Sequence, residues 1–323
     1  MEAQYDPGNV ASYIEDDPYH LMQKNRMARL AALHRQRRLE PIRRESRLRI
    51  LSARGFGNGL VVDIGLHSGF DYKCNGQFHK EEKKEVETII LVSRRGQWAI
   101  TAIHPREPVG VFGEGSYELD AAELPAETKL LPTIGNLSIP LLDEKVGRST
   151  PLFRAIPYDR KRAAAYADLW WEAGNPAYLE FAVDCSNYVS QCIFAGGAPM
   201  NYTNKRGTGW WYRGKSGNRE LWSYSWAVAD SLRRFLSNSR QGLQAKLVNS
   251  PQQLLEGDVI SYSWNGNGHY GHSTVVTAMD GNGMPLVNAH TVSSKHRYWD
   301  YRDSYAWTEN TQYRFFHIND SLH

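Results

Sequence analysis

The chain has 323 residues, 41% of them hydrophobic and 23% charged, and a formal net charge of only +3. That is the size of about two average domains and the composition of an ordinary globular protein able to bury a sizeable core. No apolar run approaches the ~18 to 20 residues of a bilayer span, which excludes a transmembrane helix. The opening MEAQYDPGNVASYIEDDPYH lacks the basic-then-apolar order of a signal peptide, so the expectation is a cytoplasmic or spore-associated protein, or one exported by another route. Three cysteines (Cys74, Cys185, Cys192) cannot build a disulfide framework, and reduced thiols are expected.

The charge is unevenly spread. Between Lys24 and Arg54 eleven Lys or Arg face two acids, Glu40 and Glu45. Met22, Met27, Leu30 and Leu33 recur at helical spacing, which predicts a basic amphipathic helix that breaks near Pro41 and resumes towards Leu51. Residues 24–54 could touch an anionic surface; the plainer reading is a solvated helix face packed on its own domain. Strands are predicted over 60–66, 85–93 and 97–103, with a hairpin at Arg94, Arg95 and Gly96 and a short fourth strand at 70–73. Residues 1–104 therefore read as a small α+β domain, helix first and antiparallel meander second, similar to the cystatin or NTF2-like domains in outline only.

Seven of the fourteen prolines fall between residues 105 and 157, the texture of a linker or long irregular arm. A second unit, 158–323, opens with Asp159 as the cap of a helix whose Ala163, Tyr166, Ala167 and Trp170 share one face. A second helix starts at or just before Cys185 and stops at Gly196, Gly197 and Pro199. A third is predicted over 224–236. After Gly257 the pattern turns to strands at 258–263, 272–279, 285–290 and 313–318. Helices followed by an antiparallel sheet is the order of a papain-like α+β domain.

The stretch DCSNYVSQC, 184–192, holds two of the three cysteines. A thiol at a helix start is nearer the exposed N–H groups and the positive end of the dipole, which favours the thiolate; that is the position of Cys185. Cys192, two turns deeper on the same face, reads as core. His272 in GHYGHSTVVTA stands at a strand start and is the candidate base, and Asn288 in PLVNAHT the candidate orienting group, a Cys-His-Asn arrangement. His269, His272, His290 and Cys185 could in principle surround zinc, but their spacing matches no strong metal signature, and no cofactor or metal is expected. The basic segment carries no nucleic-acid motif, so no specific nucleic acid is expected.

The stretch YDRKRAAAYADLWWEAGNPAYLEFAVDCSNYVSQCIFAGGAPM, with GDVISYS, GHSTVVTA and PLVNAHT downstream, resembles the bacterial amidase domain of the NlpC/P60 and CHAP branch of the papain-like superfamily. The resemblance spans 158 to about 318. It implies helices packed on an antiparallel sheet, Cys185 as nucleophile, His272 as base, Asn288 as third group, Asp184 bracing the helix start and Tyr178 on the oxyanion side. The 87 residues from Cys185 to His272 are fewer than the ~130 to 150 of papain and cathepsins, which implies the shorter cell-wall branch. The implied activity is cleavage of amide bonds in peptidoglycan stem peptides, between the sugar and the peptide, or in a related cell-wall peptide. Trp210, Trp211, Tyr212 and Trp264 could line a groove for that polymer or simply pack. Two rivals stand beside hydrolysis: a catalytically silent module for wall or spore assembly, and an acyltransferase that uses the same thiol.

Overall fold

A computed structural model describes residues 17–105, 155–217 and 219–323. The expected linker 105–157 falls mostly on residues outside these. The first part contains α1 (Asp17–Arg37), β1 (Leu39–Phe56), β2 (Gly59–Cys74), β3 (Gln77–Arg94) and β4 (Gln97–Pro105). The second contains β5 (Ile156–Pro157), α2 (Arg160–Trp170), α3 (Cys185–Ala195), β6 (Tyr212–Ser216), β7 (Arg219–Trp222), α4 (Tyr224–Ala227) and α5 (Ala229–Asn238). It continues with β8 (Ala245–Val248), β9 (Val259–Ser263), β10 (His272–Met279), β11 (Pro285–Ala289), β12 (Ser294–Tyr298), β13 (Gln312–Ile318) and β14 (Ser321–Leu322). The class is α+β with antiparallel pairing, as the element order suggested.

One sheet of ten strands runs through both parts, in the order β1-β2-β3-β12-β11-β10-β9-β13-β8, with β4 also on β3. The join is β3 to β12, where Lys83 pairs with Ser294 and Glu82 with Lys295. Ion pairs reinforce it: Lys83 Nζ reaches Asp303 Oδ2 at 2.5 Å, Arg297 Nε donates to Asp303 Oδ1 at 2.9 Å, and Arg26 of α1 bonds both Glu85 and the Asp303 carbonyl. The inward arginines of α1 are thus spent on structure.

Residues 39–56 form a strand where a resumed helix was expected. Arg38 takes a positive φ of 54° and ends α1, and Arg47-Leu48-Arg49-Ile50 alternates with the period of two that suits a strand. Gly57, also at positive φ, turns the chain so that Phe56 pairs with Gly59 and Leu48 with Leu66. The short strand expected at 70–73 is the far end of β2. The helix expected over 224–236 is two, because Val228 is extended (φ −113°, ψ 126°) between α4 and α5.

The sheet divides two apolar layers. Val259, Val275 and Phe316 join Ala163, Ala167, Tyr188, Val189, Trp210 and Trp226 on the face covered by α2, α3 and α5. Ile260, Tyr262, Val276, Val287 and Tyr301 form the layer on the other face. Strand alternation fixes these sides, and with them the direction of every side chain near the strand ends.

Candidate active site

Helix α3 is buried at every position from Cys185 to Ile193, which explains the density of the motif that encodes it. Each polar member has a partner. Asn187 Nδ2 donates to the Leu179 carbonyl and to Asp184 Oδ1, while its Oδ1 accepts from Trp226 Nε1. Tyr188 OH donates to the Ala167 carbonyl, Ser190 Oγ accepts from Trp210 Nε1 and donates to the Trp226 carbonyl, and Gln191 Oε1 accepts from Tyr166 OH. Behind the helix, a Cβ on Gly196 would stand 2.4 Å from Tyr158 Cε2, so only glycine lets the start of α2 pass. The Asp159 cap of α2 is present, its carboxylate accepting from Arg162 N at 3.0 Å.

Asp184 stands at the N-cap of α3 but gives its carboxylate sideways. Oδ1 accepts from Phe181 N and Asn187 Nδ2, and Oδ2 lies 2.8 Å from His290 Nδ1. The Asp184 N–H donates to Thr291 Oγ1 at 3.0 Å. His290 stacks on Tyr188 with centroids 3.9 Å apart, and its Nε2 lies 2.7 Å from the Trp170 carbonyl. The sequence reading missed His290 as part of this cluster. The available signal was its place two residues beyond Asn288, just past the end of β11.

Cys185 opens α3 and is 2% exposed. Burial raises its pKa, against the expected lowering; hydrogen bonds from the Ser273 and Ser186 backbone work the other way without overcoming it. Ser186 Oγ donates to Ser273 Oγ at 3.3 Å, so it is Ser273 of β10 that faces α3. Cys192 is fully buried in the same core, and burial pushes its thiol well up.

His272 is not brought to Cys185. It pairs with Tyr262 across β9 and therefore shares that residue's face, opposite to Ser273. Its ring lies 5.5 Å from Tyr262, 5.7 Å from Trp264 and 5.3 Å from Tyr301, and its enclosed Nε2 has no hydrogen-bond partner. Burial, with the nearby Arg297 charge, lowers its pKa to about 3, which keeps the ring neutral. Asn288 is on the α2 side, with Oδ1 accepting from Thr277 Oγ1 and His296 N and Nδ2 donating to Asp168 Oδ1 at 2.8 Å. The Cys185-His272-Asn288 set is thus not assembled here, because the pleat puts its members on two faces.

The remaining expected residues are spent on packing. Trp210 and Trp211 are 0% and 2% exposed and cannot line an open groove. Tyr212 is half-buried, and its OH accepts from Leu179 N. Tyr178 stacks on Trp226 and tilts against Tyr212, and Trp264 stacks on His272. Among the described residues no group of three His, Cys, Asp or Glu side chains could hold a metal ion. Nor, among them, is any helix long and apolar enough to cross a membrane.

The family match falls on the half of the chain that holds these residues. Residues 157–316 match the family described as "Putative amidase domain". An amide-hydrolysing domain is therefore what this region is similar to, and the family span takes in α2, α3, β6 to β12 and most of β13. A Bacillus subtilis (strain 168) protein called "Uncharacterized protein YhbB" is 50% identical over 167 residues, 52% of this chain and 52% of that one. The match thus spans about half the length of this curated relative. No solved structure matches.

Proposed function

We propose that the domain is a cysteine amidase of papain-like design, in which Cys185 is the nucleophile and His272 the base. The observation that carries this reading is the place of the sulfur. Cys185 opens α3 and takes a hydrogen bond from the backbone of Ser273, the residue that follows a histidine whose Nε2 has no partner. A buried ring nitrogen left unbonded costs about 1 to 3 kcal/mol, and a turn of His272 to the α3 side of the sheet would relieve that. The turn needs a backbone change at the start of β10, and Gly271, which precedes His272, gives the chain conformational latitude there. His290 is the poorer base, since both its nitrogens already face acceptors.

In the turned arrangement His272 takes the Cys185 proton as the sulfur attacks an amide carbonyl. The C–N bond breaks as the imidazolium gives that proton to the leaving amine, and water then hydrolyses the thioester to free acid and thiol. Peptidoglycan stem peptides are the proposed substrate, on the resemblance of the 158–318 motifs to the wall-cleaving branch.

The test is to incubate the full chain, beside Cys185→Ala and His272→Ala variants, with purified peptidoglycan fragments and to identify new termini by mass. The expectation is product from the parent chain, none from Cys185→Ala, and formation slower by about 10² or more in His272→Ala. Equal product from Cys185→Ala would refute the mechanism. A second reading, a catalytically silent binding module, is favoured by the buried thiol and the averted histidine. No cleavage of any fragment, together with retained binding to it, is its expected outcome.

A further inference from the structure

The distal half of the meander carries a feature that amide cleavage does not use. Over residues 47–66 and 88–104 the charged side chains, histidine apart, are Arg47, Arg49, Arg54, Arg94, Arg95 and Asp63. Asp63 is buried and accepts from Ser52 and Thr88, whereas all five arginines are exposed. The two turns of this half, at 57–58 and 95–96, lie side by side: Ser93 N donates to the Asn58 carbonyl and Asn58 Nδ2 to the Ser93 carbonyl. Together they form one end of the sheet.

That end is aromatic as well as cationic. Phe56 is 46% and Trp98 48% exposed. By register they stand on opposite faces, since Phe56 pairs with Gly59, Gly59 with Val92 and Val92 with Ala99, the neighbour of Trp98. Along β1, an edge strand of the sheet among the described residues, Leu48 and Ile50 are 60% and 63% exposed and alternate with Arg47 and Arg49. An edge this long and apolar is a hazard unless something covers it.

We infer that this double-turn tip and the adjoining edge of β1 form a docking surface for an anionic lipid bilayer. Two features select that partner. Charge of one sign matches an acidic headgroup layer, with each arginine near the surface worth about fivefold in partitioning. Aromatic side chains on both faces of a tip, with arginines beside them, match the headgroup boundary, where such rings settle and cations snorkel. A soluble polyanion without apolar or aromatic groups would use the arginines and leave the rings in water.

The test is co-sedimentation of the full chain with vesicles of phosphatidylglycerol and phosphatidylcholine mixed, against phosphatidylcholine alone. Binding is expected only with the anionic lipid, falling as salt rises. A Phe56→Ser/Trp98→Ser variant and an Arg49→Glu/Arg54→Glu/Arg95→Glu variant should each bind at least about tenfold more weakly, with far-UV circular dichroism and melting unchanged. Failure to bind the anionic vesicles would overturn the inference. So would binding unaffected by loss of the two aromatics, which would mark a general polyanion site. A dimer in sedimentation velocity that the aromatic variant dissociates would overturn it too, by giving the surface to a second copy.

Discussion

His290 Nδ1 lies 2.8 Å from Asp184 Oδ2 while its Nε2 lies 2.7 Å from the Trp170 carbonyl, so the ring joins the start of α3 to the end of α2. Both partners are acceptors, and both bonds form only when the ring carries both protons. The consequence is an energetic asymmetry between the two residues. His290→Ala removes the ring stacked on Tyr188 together with its contacts to Asp184 and Trp170, and should cost about 3 kcal/mol in urea unfolding. Asp184→Asn lets a neutral His290 accept at Nδ1 and still donate to Trp170, and should cost no more than about 1 to 1.5 kcal/mol. A larger loss from Asp184→Asn than from His290→Ala would contradict this account.

The thiols should all be slow. Cys74, Cys185 and Cys192 are buried, and burial raises the pKa of each. Timed iodoacetamide labelling of the folded chain, read by peptide mass, should therefore give a Cys185 midpoint above the ~8.5 of a free thiol. A midpoint below that value would show that the sulfur rests in an activated setting, with His272 already turned to it.

The sequence shows which elements form more readily than which way they face. DCSNYVSQC is legible as a helix because apolar and polar positions both have buried work, and Asp159, Gly196 and Gly197 mark the ends of its neighbours. The averted His272 was not legible. A strand start looks the same from either face, and only the pairing with Tyr262 decides the side. Likewise Arg47-Leu48-Arg49-Ile50 has too few apolar residues to separate a strand from a helix until β2 supplies the partner. Trp210 and Trp211 looked like groove residues from their type alone; their burial comes from contacts far along the chain, Trp210 Nε1 reaching Ser190 among them. His290 was passed over because its partner Asp184 lies 106 residues away.

His272 should make the fold acid-sensitive. Its pKa falls to about 3 in the folded chain from about 6.5 when unfolded, so between those values the unfolded chain binds the extra proton. Stability contributed by this group is present above pH 6.5 and is lost as pH drops towards 3. His272→Phe keeps an aromatic ring among Tyr262, Trp264 and Tyr301 and removes the unbonded Nε2. It should raise stability at pH 7 by about 1 kcal/mol and flatten the slope of unfolding free energy against pH in that window. His34, lowered to about 4 by burial and by Arg44, keeps a residual slope in the variant. An unchanged slope would mean that His272 is not held as described.

Asp303 ties the two parts of the chain into one folding unit. Its carboxylate accepts from Lys83 of β3 and from Arg297 of β12, and these charges hold its pKa well below the usual range although burial opposes them. Arg297 is 1% exposed, so removing the carboxylate takes the bonded counter-charge from a buried cation. Asp303→Ala should therefore cost about 3 to 5 kcal/mol. Because β3 hydrogen-bonds to β12, the loss should appear as a lower midpoint of one transition, not as early melting of residues 17–105 alone. Hydrogen exchange followed by mass spectrometry can read β2 and β11 separately, and earlier release of β2 in the variant would show that the shared sheet does not couple them.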